Sequence, residues 1–539
     1  MKVQQARLFE NDALKDERLL SRRRYRVNAA DWKIRGAVYT SEAVAAAMTK
    51  WALRSPDDHV LDPACGDGVF LTAAKNGLRS LGAKKPHVFG VDLDPVAARE
   101  SGGINSDFFA WASSAPQFDV ILGNPPFIRS HLFDEDSRQM AFGLMERDGL
   151  KPSRLMSSWA PFLAISCQLL RPGGRLGFVL PEELLQVGYA KELRTELLRR
   201  FNRVMVCFPP RDMFAEVQQS TVLLLCDQSE EGPRGLSVVP FDSLLSGNPR
   251  SLACPPWDWC EKWTHLYLTD GDRRLIVSGF AVLQWRSLAT FGRVEVGIVT
   301  GSNRFFALSP ERAETLGSRF LLPSVTSTRD LRGTKFTSND FNTMLSASRP
   351  AYLFSSDVPE HELPKPVRAY VLEGERHGVH KQYKCKLRTP WYSVPSMRMS
   401  HAALFRQVGD FARLVHLEKP CAPTDTLHRV TWTDEKEGAR LATAFLNTWT
   451  LLATELTGRS YGGGVLEIMP KEASRLLVPT PTKAVDAIEF EVDRLVRAKK
   501  TREAIARVDE VVLPPSLSKS KRVHASELLD RLIDRRKRA

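Results

Sequence analysis

Between residues 57 and 226, short apolar runs alternate with stretches whose apolar residues recur every three or four positions. "HVLD" (59–62), "HVFGVDL" (87–93), "FDVILG" (118–123) and "GRLGFVLP" (174–181) read as strands buried on both faces. Helical patterns separate them: "GVFLTAAKNGLRSLG", "PVAARES" and "WAPFLAISCQLLRPGG", the last running to a Gly-Gly stop. Connections of that length cross over a sheet rather than turn back. The pattern therefore predicts an α/β, doubly wound, mainly parallel sheet. "RVMVCF" (203–208) and "STVLLLCD" (220–227) are joined by a short loop and predict an antiparallel edge hairpin.

At 539 residues the chain is too long for one core. Gly, Pro and Ser concentrate in "QSEEGPRG" (228–235) and "SGNPRSLACPPWDW" (246–259), which predicts a linker. The expected organisation is an N-terminal extension over 1–30, a catalytic domain over 31–230 and a linker over 231–262. A mixed α/β domain over 263–480 and a helical, basic tail over 481–539 complete it. The formal charge of +13 points to a polyanionic partner, nucleic acid before membrane. Eight cysteines lie at 65, 167, 207, 226, 254, 260, 385 and 421 with no CxxC pair, so reduced, buried thiols are expected and a zinc ribbon is not. No metal site is expected. The N-terminus lacks the apolar core of a signal peptide and no run suits a membrane span, so a soluble cytoplasmic protein is expected.

Ligands of open parallel sheets bind beyond the C-terminal strand ends. After the first strand, "DPACGDG" (62–68) is a glycine turn opening a helix, which presents free backbone N–H groups. It is neither a P-loop nor a GxGxxG fingerprint. Asp92 ends the second strand, where a carboxylate can accept from both hydroxyls of a ribose. In "NSDFF" (105–109), Asp107 can accept from an exocyclic amine while Phe108 stacks on a purine face. The fourth strand ends in "GNPPF" (123–127).

Four consecutive strand tips thus carry a backbone cradle, a ribose carboxylate, a purine reader and Asn-Pro-Pro-Phe. This order resembles the S-adenosylmethionine-dependent N6-adenine DNA methyltransferases, gamma class, of the TaqI-like type II restriction-modification group. "GAVYTSEAVAAAMTKWAL" (36–53) resembles that group's N-terminal cofactor motif, with Ser41 in place of its usual proline. The resemblance implies a seven-stranded Rossmann-like sheet and a target-recognition domain, with S-adenosyl-L-methionine held by Tyr39, Thr40, Asp62, Ala64, Cys65, Gly66, Asp92, Leu93, Asp107 and Phe108. It makes Asn124, Pro125, Pro126 and Phe127 catalytic, with Phe127 and Phe214 stacking on the target base. "VEVGIVTGSNRFFAL" (294–308), "RTPWYSVP" (388–395) and "GGGVLEIMPKEASRLLVP" (462–479) resemble the group's recognition domain. Asn303, Arg304, Phe305, Trp391, Tyr392, Arg459 and Tyr461 are the candidate DNA contacts there.

The chemistry of the tetrapeptide is specific. An adenine amino nitrogen is a poor nucleophile because its lone pair is delocalised into the ring. The Asn124 side-chain oxygen and the Pro125 carbonyl can accept its two N–H bonds and localise that pair, and the Pro-Pro pair stiffens the loop that presents both. Phe127 would stack on a base flipped out of the duplex. Duplex DNA is the expected partner, with a cognate restriction endonuclease possible and a prokaryotic, nucleoid-associated setting. Asn-Pro-Pro-aromatic also serves RNA and protein methyltransferases, and a non-catalytic DNA-binding protein on this fold is a further alternative.

Overall fold

The computed structural model describes residues 40–210, 213, 220–229, 234–247, 249–254, 262–461 and 464–537. Tyr39, Phe214 and the 1–30 extension lie outside the described residues. The chain divides into two units, Met1–Pro256 and Trp257–Ala539.

In the first unit, strands β1 (His59–Asp62), β2 (His87–Asp92), β3 (Ile104–Asn105), β4 (Phe118–Gly123) and β5 (Leu170–Pro181) form one parallel set. Helices α1 (Glu42–Ala52) and α2 (Val69–Ser80) precede and follow β1. Helices α3 (Pro95–Ser101), α4 (Phe108–Ala112), α5 (Glu135–Arg147) and α6 (Trp159–Gln168) fill the later crossovers. Ser41 caps α1 by accepting from Val44 N, which suits the position where a proline was expected. The short α7 (Glu183–Gln186) and α8 (Lys191–Arg200) follow β5.

Strand β6 (Arg203–Cys207) then pairs antiparallel with β7 (Thr221–Asp227), and β7 inserts antiparallel beside β5. Two further strands, β8 (Gly235–Val239) and β9 (Leu252–Ala253), extend the sheet beyond β6. The described order is β3-β2-β1-β4-β5-β7-β6-β8-β9. The doubly wound, seven-stranded arrangement is present as expected. Its antiparallel pair is not at the edge, however, and residues 235–239 and 252–253, expected in a linker, are sheet. Pairing explains this, because β8 runs parallel to β6 and buries Leu236 on one face of the sheet and Val239 on the other. Helix α6 also stops at Gln168, ahead of the Gly-Gly pair, and β5 begins at Leu170.

Burial accounts for the order of layers. Val44, Met48, Trp51, Phe70, Ala74 and Leu78 of α1 and α2 pack on Val60, Val120, Leu122 and Val179 of the sheet. The alternate strand residues Leu61, Ile121 and Phe178 are equally buried on the other side, where α6 packs on β5. Each such side chain contributes about 1.5–3 kcal/mol. Asp227, fully buried at the end of β7, is held by Arg175 and Arg203. Burial alone would raise its carboxyl, but Ser229 N–H and the two guanidinium groups hold it below the usual range.

The second unit is built on strands β10 (Gly292–Val296), β11 (Ala307–Leu308), β12 (Leu321–Val325), β13 (Tyr352–Phe354), β14 (Ser400–Phe405), β15 (Leu414–Pro423) and β16 (Leu427–Trp432). Their order is β10-β16-β14-β15-β12-β13-β11, mainly antiparallel with β12 and β15 parallel. Residues 481–537 are not a tail. Val492, Ala504, Val508, Leu528 and Ile533 belong to the same core as Leu404 and Trp449. Arg536 is buried and paired with Glu455, donating also to the Gly409 carbonyl at 2.8 Å. No described helix is long and apolar enough to cross a membrane, and the described cysteines are buried and form no disulfide.

Candidate active site

The C-terminal ends of β1, β2 and β4 converge. Gly123, the last residue of β4, lies so close to β1 that a Cβ there would stand 2.6 Å from Asp62 Oδ1. Only glycine permits that approach, and it brings Asn124 beside the turn after β1. Asp62 itself is buried and accepts from Ala64 N at 3.1 Å. Burial pushes its carboxyl up to about 8, opposed by the Ala64 N–H and reinforced by the charges of Asp92 and Asp67.

Asp92 ties the next tip to this turn. Its Oδ2 accepts from Gly66 N at 2.8 Å and its Oδ1 from Asp94 N at 2.9 Å. Each carboxylate oxygen keeps a second acceptor site for a ribose hydroxyl. Gly66 has φ +49°, and a Cβ on it would meet nothing within 4 Å, so the turn opens onto free space. Leu93 beside it is 69% exposed, and its carbonyl accepts from Asn105 Nδ2 at 3.0 Å. Carboxylates for a cation and for ribose hydroxyls, an apolar plate and an open backbone turn together fit S-adenosyl-L-methionine.

Other expected cofactor contacts sit differently. Cys65 turns its thiol inward, 3.3 Å from Ser101 Oγ, and burial pushes it up to about 12. Only its backbone borders the opening. Asp107 caps α4, accepting from Phe109 N at 2.8 Å and Ala110 N at 3.1 Å through Oδ1. Its Oδ2 accepts from Ser137 Oγ of α5 at 2.6 Å. Phe108 is buried, with one face stacked on Phe162 at a ring separation of 4.9 Å. The expectation that this ring offers an open purine face is corrected to a wall of an aromatic core, because α6 covers it.

The loop after β4 is clamped from two sides. Asn124 Nδ2 donates to Thr40 Oγ1 at 3.0 Å, which orients the carboxamide and makes Oδ1 its acceptor. Ser158 Oγ, just before α6, donates to the Pro126 carbonyl and accepts from Ile128 N at 2.9 Å. Ser158 N donates in turn to Ile128 O at 2.9 Å. Pro125 and Phe127 are buried within this clamp. Ser158, Ser137 and Asn105 have no signal in the sequence, since each is a common polar residue that matters only through a distant partner.

In the second unit most candidate DNA contacts are structural. Phe305 stacks on Tyr370 at 4.5 Å, and Tyr392 is buried with its hydroxyl donating to Val358 O at 2.8 Å. Trp391 packs on Phe305 at 5.3 Å and donates to Glu375 Oε1 at 3.0 Å. Phe305 and Tyr392 are corrected from DNA contacts to core, since burying such rings outweighs leaving them exposed, and Trp391 is half-buried against that core. Asn303 accepts from Thr300 Oγ1 at 2.6 Å, and Arg459 pairs with Glu472 at 3.1 Å. Tyr461 ends the short strand Arg459–Tyr461, and Arg304 is exposed.

The chain is similar to known restriction-modification methyltransferases over both units. A family model described as Eco57I restriction-modification methylase matches residues 95–208. Another, Type II methyltransferase M.Eco57I, C-terminal domain, matches residues 260–513. Similar relatives include Type II methyltransferase M.AccI of Acinetobacter calcoaceticus, 22% identical over 81% of this chain and 84% of the relative. Type II methyltransferase M.XamI of Xanthomonas campestris pv. amaranthicola is 24% identical over 83% and 85%. The structure of the type IIL restriction-modification enzyme MmeI in complex with DNA shares the fold, with a TM-score of 0.51 and 14% identity over 90% of this chain and 70% of that one.

Proposed function

We propose that this chain, a restriction-modification DNA methyltransferase with S-adenosyl-L-methionine as its cofactor, methylates N6 of an adenine turned out of duplex DNA. The observation that carries the proposal is the Asn124–Phe127 loop, clamped by Thr40 and Ser158 beside an open glycine turn. When bound, the cofactor supplies a methyl group activated by its sulfonium. Thr40, Asp62, Gly66, Asp92 and Leu93 are the residues that would hold it, with Asp107 beside them.

Asn124 Oδ1 and the Pro125 carbonyl accept the two N–H bonds of the amino group. Two acceptors set in advance draw the nitrogen toward a tetrahedral shape, and losing one such preplaced partner costs about 10²–10³ in rate. Phe127 directly follows the Pro-Pro pair, and stacking on an extruded base would require its buried ring to give up part of its packing in the clamped loop. A duplex base cannot reach a strand-end cleft without leaving its stack, which is the reason for assigning base flipping.

The test is transfer of labelled methyl to duplex DNA followed by nucleoside analysis, with Asn124→Ala alongside. N6-methylated deoxyadenosine that disappears in the variant is the expected result. N4-methylated deoxycytidine would reassign the base, and label in RNA or protein alone would sink the DNA reading.

A further inference from the structure

In the second unit, residues 376–389, "RHGVHKQYKCKLRT", carry five Lys or Arg side chains and no carboxylate. They begin at the last residue of helix α9 (Lys365–Arg376). The two acids just before them are engaged elsewhere, Glu373 with Arg312 and Glu375 with Trp391. The segment is anchored from beneath. Val379 and Cys385 are buried, and Arg388 donates to Thr300 O at 2.7 Å and Val299 O at 2.8 Å.

Its outer side is the opposite. Lys381, Lys384 and Lys386 are exposed, and among the described residues none of them makes an ion pair. Tyr383 and Leu387 between them are 66% and 65% exposed. The ammonium groups of Lys384 and Lys386 lie 5.4 and 5.7 Å from the Tyr383 ring. An ordinary solvated surface intersperses both signs of charge. Here five like charges fall within one short anchored segment with no carboxylate among them, and two of them flank an exposed ring.

We infer that this strip tracks the backbone of duplex DNA, with Lys381, Lys384 and Lys386 each neutralising a phosphate and Tyr383 and Leu387 lying against sugar or base edges. The inference rests on the DNA methyltransferase reading. Its anchoring matters because a prefixed strip loses little conformational freedom on binding.

The test is binding of the full chain to a labelled random-sequence duplex across a salt series. Each phosphate contact contributes about 0.9 to the slope of log affinity against log salt, so replacing all three lysines by Gln should lower the slope by about 2.7. Between about 50 and 200 mM salt the wild type should lose about fortyfold more affinity than this variant. The Lys→Arg triple variant should keep the wild-type slope, and Lys386→Gln alone should lower it by about 0.9. A wild type that methylates duplex DNA, with Gln variants of unchanged slope, overturns the strip alone. A wild type that neither binds nor methylates duplex DNA overturns the functional reading with it.

Discussion

Asn124 Nδ2 donates to Thr40 Oγ1 across 3.0 Å, so the residue that follows β4 is oriented by the residue before the Ser41 cap of α1, 84 positions earlier. The acceptor needed for amino chemistry is therefore aimed by the same residue expected against the cofactor. Asn124→Ala should lower the single-turnover rate about 10²–10³-fold with cofactor affinity retained. Thr40→Val should cost about tenfold, because the carboxamide is still present but free to rotate. Equal rates for Thr40→Val and wild type would remove the orienting role.

Ser158 offers a separate handle on the same loop. Its hydroxyl joins the Pro126 carbonyl to Ile128 N. Ser158→Ala leaves both half-buried groups without that partner, at about 1 kcal/mol of stability. The expected kinetic signature is a fall in kcat with KM for DNA nearly unchanged, since the loop is loosened while the second unit is untouched. A change confined to KM would count against a positioning role.

Asp62 predicts a pH dependence of definite sign. Its carboxyl is raised to about 8 by burial, against about 3.9 in an unfolded chain. A raised acid contributes stability that is fully present below the unfolded pKa and is lost as pH rises through the folded one. The unfolding temperature without cofactor should accordingly decline between about pH 4 and 8 more steeply in wild type than in Asp62→Asn. Binding of the cationic cofactor beside Asp62 should release a proton near neutrality, read by calorimetry in buffers of different ionisation heat. Proton release that persists in Asp62→Asn would assign it to another group.

Removal of α10 (Lys519–Lys537) should unfold the second unit rather than merely weaken DNA binding. Leu528, Leu529 and Ile533 are core, and Arg536 is the partner of buried Glu455. The Glu455 carboxyl is raised by burial, with Arg536 opposing. Arg536→Ala strands that carboxyl and should cost about 3–5 kcal/mol, measured by denaturant unfolding. A truncated chain with wild-type unfolding would show the helix to be dispensable.

The first unit was largely legible because its signals are local. Apolar runs at strand length, helices between them and the residues at "DPACGDG", "GVDLD" and "GNPPF" need only neighbours in sequence to be read. The α/β sheet and the identity of its loaded edge follow from those alone. The extra strands β8 and β9 were not legible, because Gly- and Pro-rich flanks suggest a linker until β6 offers its edge for pairing.

The second unit shows the opposite balance. Aromatic and basic residues in Pro- and Gly-marked loops look like DNA contacts, yet Phe305, Trp391 and Tyr392 pack on one another and on Tyr370. Exposure is a property of the folded chain, and sequence composition is the same for a core ring and a surface ring. The amino acids by themselves determined the sheet and the glycine turn, Asp92 and Asn-Pro-Pro-Phe at its strand tips. Only the tertiary structure decided which side chains orient the Asn124–Phe127 loop. Thr40 and Ser158 act across 84 and 32 positions of sequence, a hydrogen-bond geometry that no local pattern records.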